Sequence, residues 1–187
     1  MSIKKIRFLL SATVFLLVLG IEGYKYYFPS KDVLSQTSEK PTIQATNSYK
    51  VSKVIDGDTI DVLINNKSVK VRVIGINTPE TVDPRRPVQC FGREASDHAK
   101  SILTNQMVQL EPDLTQSDKD KYSRLLRYVF LPDGKDYGLI MIKEGYAYEY
   151  TYELPYKFQK EYKAAQNEAE NLKVGLWSDN SCKGKLR

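Results

Sequence analysis

Histidine is almost missing from this chain: its 187 residues include one, His98, alongside two cysteines and a single tryptophan. That is too little for a Cys/His zinc site, and His98 lacks a visible Ser or Cys partner of the kind a nucleophilic triad needs. Glycine (10) and proline (8) are also sparse, which excludes collagen-like and low-complexity chains. Neither an internal repeat nor a heptad pattern is present. The longest uncharged apolar run, residues 8–21, has 14 residues, short of the ~20 that a full membrane span requires.

What is present describes one ordinary domain with small additions. Hydrophobic residues make up 41% and charged residues 27%, enough for one sizeable core. The net charge of +5 invites a nucleic-acid reading, but it is unevenly placed. Residues 1–48 carry six bases against three acids, and the final KGKLR adds three more bases. Residues 49–182 hold nineteen bases and twenty acids, so a polyanion must be met by a local basic site rather than by a bulk field.

The N-terminus has an export pattern: Lys4, Lys5 and Arg7 precede the apolar run. No clean small-x-small cleavage site follows, and Tyr24, Tyr26, Tyr27 and Phe28 suit the flank of a membrane anchor. Removal as a signal peptide and retention as an anchor both remain open for residues 1–28. Residues 29–48, rich in Ser, Thr, Gln and Lys, read as a flexible linker. The domain then covers 49–180, and 181–187 form a basic tail. An even cysteine count in an exported chain makes a Cys90–Cys182 disulfide the natural expectation.

Alternation and turn signals predict strands at 49–55, 59–64, 68–76, 107–110 and 124–131, with helices at 92–104, 137–144 and 156–171. The last helix places Tyr162, Ala165, Ala169 and Leu172 on one stripe. Five strands and three helices in this order predict an α+β fold, a five-stranded OB-type β-barrel with packed helices. Gly145 is a plausible helix-ending glycine, and Leu176 with Trp177 reads as core pinning the C-terminus.

Three segments carry chemistry. In VIDGDTI, Asp56 and Asp58 flank Gly57 and can converge on a hard cation, although Asp-Gly alone is usually a turn. In VRVIGINTPET, Arg72 lies on a strand ahead of Asn77, the Thr78 carbonyl and Glu80 in a Pro-stiffened loop. Such oxygen donors suit calcium with a water-directing base, yet Thr-Pro-Glu alone is more often a helix entry. In SDKDKYSRLLRY, Lys121, Tyr122, Arg124 and Arg127 gather at a strand mouth, where the bland reading is a solvated hairpin.

Taken in order, VIDGDT, R-x-x-G-I-N-T-P-E-T, GREAS and D-K-Y-S-R resemble the staphylococcal nuclease (thermonuclease) family over residues 49–177, about seven-tenths of the chain. The resemblance implies an OB-fold, calcium-dependent phosphodiesterase that cuts DNA and RNA to 3′-phosphates. It assigns Asp58 and the Thr78 carbonyl as calcium ligands and Glu80 as the carboxylate that directs the attacking water. Arg72 and Arg124 become the phosphate-gripping arginines, Asp56 an acid behind the ligands, and Lys121 and Tyr122 contacts to a terminal phosphate. Asn77 stands where the family has a calcium-binding aspartate, which keeps an oxygen donor but removes a charge. Weaker calcium binding is the expectation, and a surface-tethered module that binds single strands without cutting is the alternative. Ser123 replaces a family glycine.

Tyr146, Tyr148, Tyr150 and Tyr152 recur at period two. In an extended strand their rings share a face and offer stacking platforms for unpaired bases. Tyr146 and Tyr148 are better read as packing residues, leaving Tyr150 and Tyr152 as candidate substrate contacts. Arg85 and Arg86 lie in a loop where they could steer polyanions, although an exposed loop pair is usually just solvated, and His98 reads as surface or helix packing. The whole describes a monomeric nuclease outside the cytoplasm, secreted or anchored through 8–21, acting on single-stranded or flexible DNA and RNA.

Overall fold

The computed structural model describes residues 48–81, 87–183 and 185. The apolar run 8–21, the linker up to residue 47, Arg85 and Arg86, and part of the basic tail lie outside the described residues. Five strands close into a barrel in the order β1-β2-β3-β6-β5: β1 (Ser48–Val54), β2 (Thr59–Ile64), β3 (Lys67–Val73), β5 (Met107–Glu111) and β6 (Leu125–Phe130). All pairings are antiparallel except β3 with β6, which run parallel and close the barrel. With three helices packed on it, this is the α+β OB-type architecture that the strand and helix order predicts.

Alternation explains the barrel's interior. Val51, Ile60, Val62, Val71, Val73, Val108 and Val129 point inward and are essentially without solvent contact, while Lys50, Lys53, Lys67 and Lys70 face out. Helix α1 (Gly92–Leu103) buries Ala95, Ala99 and Leu103; α3 (Gln159–Leu172) buries Tyr162, Ala165 and Ala169. Between them α2 (Tyr137–Lys143) is capped by Asp136, whose side chain accepts from the Leu139 N–H, and ends before Gly145 at φ +74°. Leu176 is fully buried, and Trp177 meets the Tyr148 ring edge-on at 5.2 Å.

Three expectations need correction. The strand expected over 68–76 stops at Val73, because Gly75 at φ +80° turns the chain. A Cβ on Gly75 would sit 2.6 Å from the Tyr156 ring, so only glycine fits there. The following Ile76–Asn77 forms β4, which pairs instead with β7 (Tyr148–Glu149) in a separate two-stranded sheet. The last helix starts at Gln159 rather than Tyr156: Tyr156 is drawn into the core, and the Lys157 N–H is spent on Asp113 Oδ2 at 2.8 Å. Leu172, expected on the buried stripe, is 65% exposed in the final turn of α3.

Asp113 organises that junction, accepting from the Tyr128 hydroxyl (2.6 Å), the Lys157 N–H and both the N–H and hydroxyl of Thr115 (2.8 Å each). Burial pushes its carboxyl up, but these donors outweigh burial and hold it below the usual carboxylate range. A depressed folded pKa stabilises the protein fully above the unfolded value near 4, and that contribution fades as pH falls through the folded value. Asp113→Asn should therefore cost about 1–3 kcal/mol near neutrality, with the gap from wild type narrowing below pH 4 in denaturant titrations.

Cys90 and Cys182 form a disulfide that joins the entry of α1 to the C-terminal segment across 92 residues of sequence. Closing so long a loop restricts the unfolded chain. Cys90→Ser with Cys182→Ser should lower stability by about 2–4 kcal/mol, read as a drop in the thermal midpoint.

Candidate active site

The turn between β1 and β2 places the two aspartates differently. Asp56 Oδ1 accepts from the Asp58 N–H at 3.0 Å, folding the turn back on itself. Gly57 is obligatory here, because a Cβ would come within 2.5 Å of the Thr78 side chain. Its carbonyl accepts from the fully buried Tyr137 hydroxyl at 2.7 Å, tying the turn to α2. Burial and the adjacent Asp58 charge push the Asp56 carboxyl up to about 7. A divalent cation beside the pair would act in the opposite direction.

Asp58 is itself buried and receives three hydrogen bonds and one ion pair. Its Oδ1 accepts from the Thr59 hydroxyl (2.9 Å), and its Oδ2 accepts from the Thr78 N–H (2.9 Å) and the Thr78 hydroxyl (3.1 Å). Arg72 Nε lies 3.1 Å from Oδ1. Arg72 then donates through one terminal nitrogen to the carbonyls of Val73 and Ile76 (2.8 Å each), and through the other to Asn77 Oδ1 at 3.2 Å. Residues 58, 72, 77 and 78 thus form one hydrogen-bonded unit at the end of β3. Glu80 follows immediately, and its Oε1 accepts from the Thr81 N–H at 2.8 Å.

The second arginine arrives from the turn before β6. Asp120 Oδ1 accepts from the N–H groups of Tyr122 and Arg124 at 2.9 Å each, and Oδ2 takes the Arg124 Nε at 2.6 Å. Burial opposes ionisation of Asp120, yet these donors and the Arg124 charge hold its carboxyl below the usual range. Arg124 also donates to the Thr59 hydroxyl at 3.4 Å, which joins the two arginines through Thr59 and Asp58. The exposed Tyr122 ring has Lys121 and Arg124 above it at 5.2 and 5.4 Å.

Apart from the buried Thr59 and Tyr137, these side chains open into one cleft of about 1070 Å³, lined by Asp56, Asp58, Arg72, Asn77, Thr78, Glu80, Lys121, Tyr122, Arg124, Tyr150 and Tyr152 among others. The tyrosine ladder does not lie on one face, because only Tyr148–Glu149 is strand. Tyr146 stacks on His98 at 3.9 Å between ring centres, and Tyr148 packs on Trp177. Tyr150 and Tyr152 remain exposed at the cleft, 6.3 Å apart. His98 is turned to the far end of α2, with Nε2 2.7 Å from Glu144 Oε2, and does not line the cleft.

Thr59, Asp120 and Tyr137 were not singled out from sequence. Only Asp120 carried a usable signal, a carboxylate four residues before Arg124; the other two are recognisable only once β2 and α2 are in place. As a cation site, Asp58, the Asn77 amide oxygen and the Thr78 carbonyl offer an all-oxygen donor set that fits a hard cation, with one carboxylate charge. Among the described residues no three His, Cys, Asp or Glu side chains cluster for a metal.

A family profile described as "Staphylococcal nuclease homologue" matches residues 70–179. The chain is 43% identical to a "Thermonuclease" of Staphylococcus hyicus over 166 residues, 88% of this chain and 92% of that one. It is 43% identical to a "Thermonuclease" of Staphylococcus intermedius over 130 residues, 70% and 76% of the two chains. "Endonuclease YncB" of Bacillus subtilis (strain 168) is 38% identical over 151 residues, 77% of this chain and 71% of that one.

Ser123, in the turn that delivers Arg124, sits at φ +63°, where a side chain is strained and glycine is not. Ser123→Gly should raise stability by about 0.5–1 kcal/mol in chemical denaturation, the relief of strain exceeding the added freedom of the unfolded chain.

Proposed function

As the chain belongs to the staphylococcal nuclease family and is a nuclease, we propose that its cleft is a calcium-assisted phosphodiesterase site that hydrolyses DNA and RNA to 3′-phosphate products outside the cytoplasm. The carrying observation is that Asp58, Arg72, Glu80 and Arg124 share one cleft, with both arginines immobilised by carboxylates.

Attack on a phosphodiester adds negative charge to the equatorial oxygens. Two guanidiniums at the phosphate offset it, and Arg suits the task better than Lys because its fork spans two oxygens and stays charged. Holding them in advance through Asp58 and Asp120 spares the cost of ordering long side chains at the moment of reaction. Glu80 takes the proton from the attacking water. Asp58, Asn77 and the Thr78 carbonyl would hold calcium, which supplies further neutralisation of phosphate charge and polarisation of water. Asp56 braces Asp58 from behind.

Lys121 and Tyr122 form a cationic, aromatic shelf for a terminal phosphate. Tyr150 and Tyr152 give exposed rings to unstacked bases, so single-stranded or flexible stretches are the preferred substrate. Each of these groups belongs to one chain, so a monomer is sufficient. The Cys90–Cys182 disulfide and the N-terminal export pattern support action in an oxidising, extracytoplasmic place, with the protein secreted or anchored through 8–21.

The test is a calcium titration of the full chain on single-stranded DNA, with products assayed for 3′-phosphate. Cleavage should require calcium and fall about 10²–10⁴-fold in Glu80→Gln. Asn77→Asp should move the calcium midpoint to lower concentration by restoring a carboxylate. Tight binding without cleavage at every calcium level would sink this reading and leave the single-strand-binding module.

A further inference from the structure

Unlike Arg72 on a barrel strand and Arg124 in the ion-paired turn before β6, Glu80 projects its side chain from the loop after β4. Something must fix its backbone, since a displacement near 1 Å at a reacting group costs on the order of 10² in rate. Gln89 is placed to do so. Its side-chain Oε1 accepts from the Glu80 N–H at 2.7 Å, and its own N–H donates to the Glu80 carbonyl at 2.9 Å. Both peptide groups flanking the Glu80 side chain are therefore held by one residue, nine positions along the chain.

Gln89 is in turn anchored. Its carbonyl accepts from the Gly92 N–H at 3.0 Å at the start of α1, and its neighbour Cys90 is bonded to Cys182. Gly92 closes the arrangement from the other side: a Cβ there would lie 3.1 Å from the Glu80 carbonyl oxygen and 2.7 Å from the Thr81 side chain. The carboxylate-bearing loop is thus fastened to a helix terminus and a disulfide, two rigid features outside the barrel.

We propose that Gln89 is a positioning residue for the Glu80 general base, setting the turnover rate without touching substrate or cation. The inference rests on Glu80 serving as that base. It differs from an ordinary structural role because the hydrogen bond to the side-chain oxygen acts on one backbone N–H, and the binding groups at Asp58, Arg72 and Arg124 have no contact with it.

The experiment uses the full chain and a single-stranded DNA oligonucleotide, with kcat and KM read at saturating calcium and the calcium midpoint read from a separate titration. Gln89→Leu and Gln89→Met both keep bulk and remove the acceptor, and the comparison is made with whichever retains a wild-type thermal midpoint more closely. Gln89→Glu keeps an acceptor oxygen. The expected result is a kcat about 10- to 100-fold below wild type in the variants without an acceptor, with KM and the calcium midpoint within twofold, and recovery of most of the loss in Gln89→Glu. An unchanged kcat, a loss carried by KM or by the calcium midpoint, or a Gln89→Glu no better than Gln89→Leu would overturn the inference. Glu80→Gln, measured in parallel, separates the two failures. If it is inactive while Gln89→Leu turns over normally, only the positioning role falls; if it turns over normally, the base assignment itself falls and takes this role with it.

Discussion

The site depends on the guanidinium of Arg72. It stands at the end of β3, where the chain leaves the barrel, and it binds the carbonyls of Val73 and Ile76 together with the Asn77 side chain and the Asp58 carboxylate. Those groups belong to the end of β3, the β1–β2 turn and the short strand β4, which share no regular ladder. A part-buried cation surrounded by oxygen acceptors is the means of holding them at one point, and a neutral residue of the same size would leave two carbonyls short of a donor and Asp58 short of its ion-pair partner. In the proposed reaction the same charge would also face phosphate, so structural and chemical demands would fall on one side chain.

Around that point the scaffold divides its labour. The barrel supplies strand ends at fixed positions: Thr59 opposite Arg72 in the β2–β3 register, and Arg124 just ahead of β6, which lies parallel to β3. The parallel pairing is what lets the turn at 118–124 reach the same cleft as the β1–β2 turn. Helix α2 contributes one hydroxyl, that of Tyr137, which holds the Gly57 carbonyl from below. Helix α1 and the disulfide hold the loop that carries Glu80. Each reacting group is thus supported by a different element, and the cleft is the place where they meet.

Much of this was legible in the sequence because it is local. Period-two alternation in Val69, Val71 and Val73, the turn signal at Asp56-Gly57 and the order of motifs point to the barrel, its helices and many of the cleft-lining residues. The misreadings share a cause. The alternating pattern of 68–73 runs on into Ile74 and Ile76, and nothing local announces that Gly75 must pass under Tyr156; that contact spans 81 residues. Tyr156 leaves the helix because Asp113, far back in the chain, claims the next N–H. The tyrosine ladder has perfect alternation yet only two strand residues, because Tyr146 and Tyr148 are held by His98 and Trp177 on separate helical segments. Thr59 and Tyr137 act through single hydroxyls whose partners exist only after folding.

Asn77 is best understood through Arg72. A carboxylate at this position would pair with the guanidinium at close range and also bind a cation; the amide does neither as strongly, donating no charge to either neighbour. In the proposed calcium site the missing charge would weaken the hold on the cation, and it leaves Arg72 with one carboxylate partner here, Asp58, rather than two. A guanidinium held less tightly by fixed anions has more of its field to offer an incoming phosphate. The substitution therefore shifts the balance of charge neutralisation from cation toward arginine.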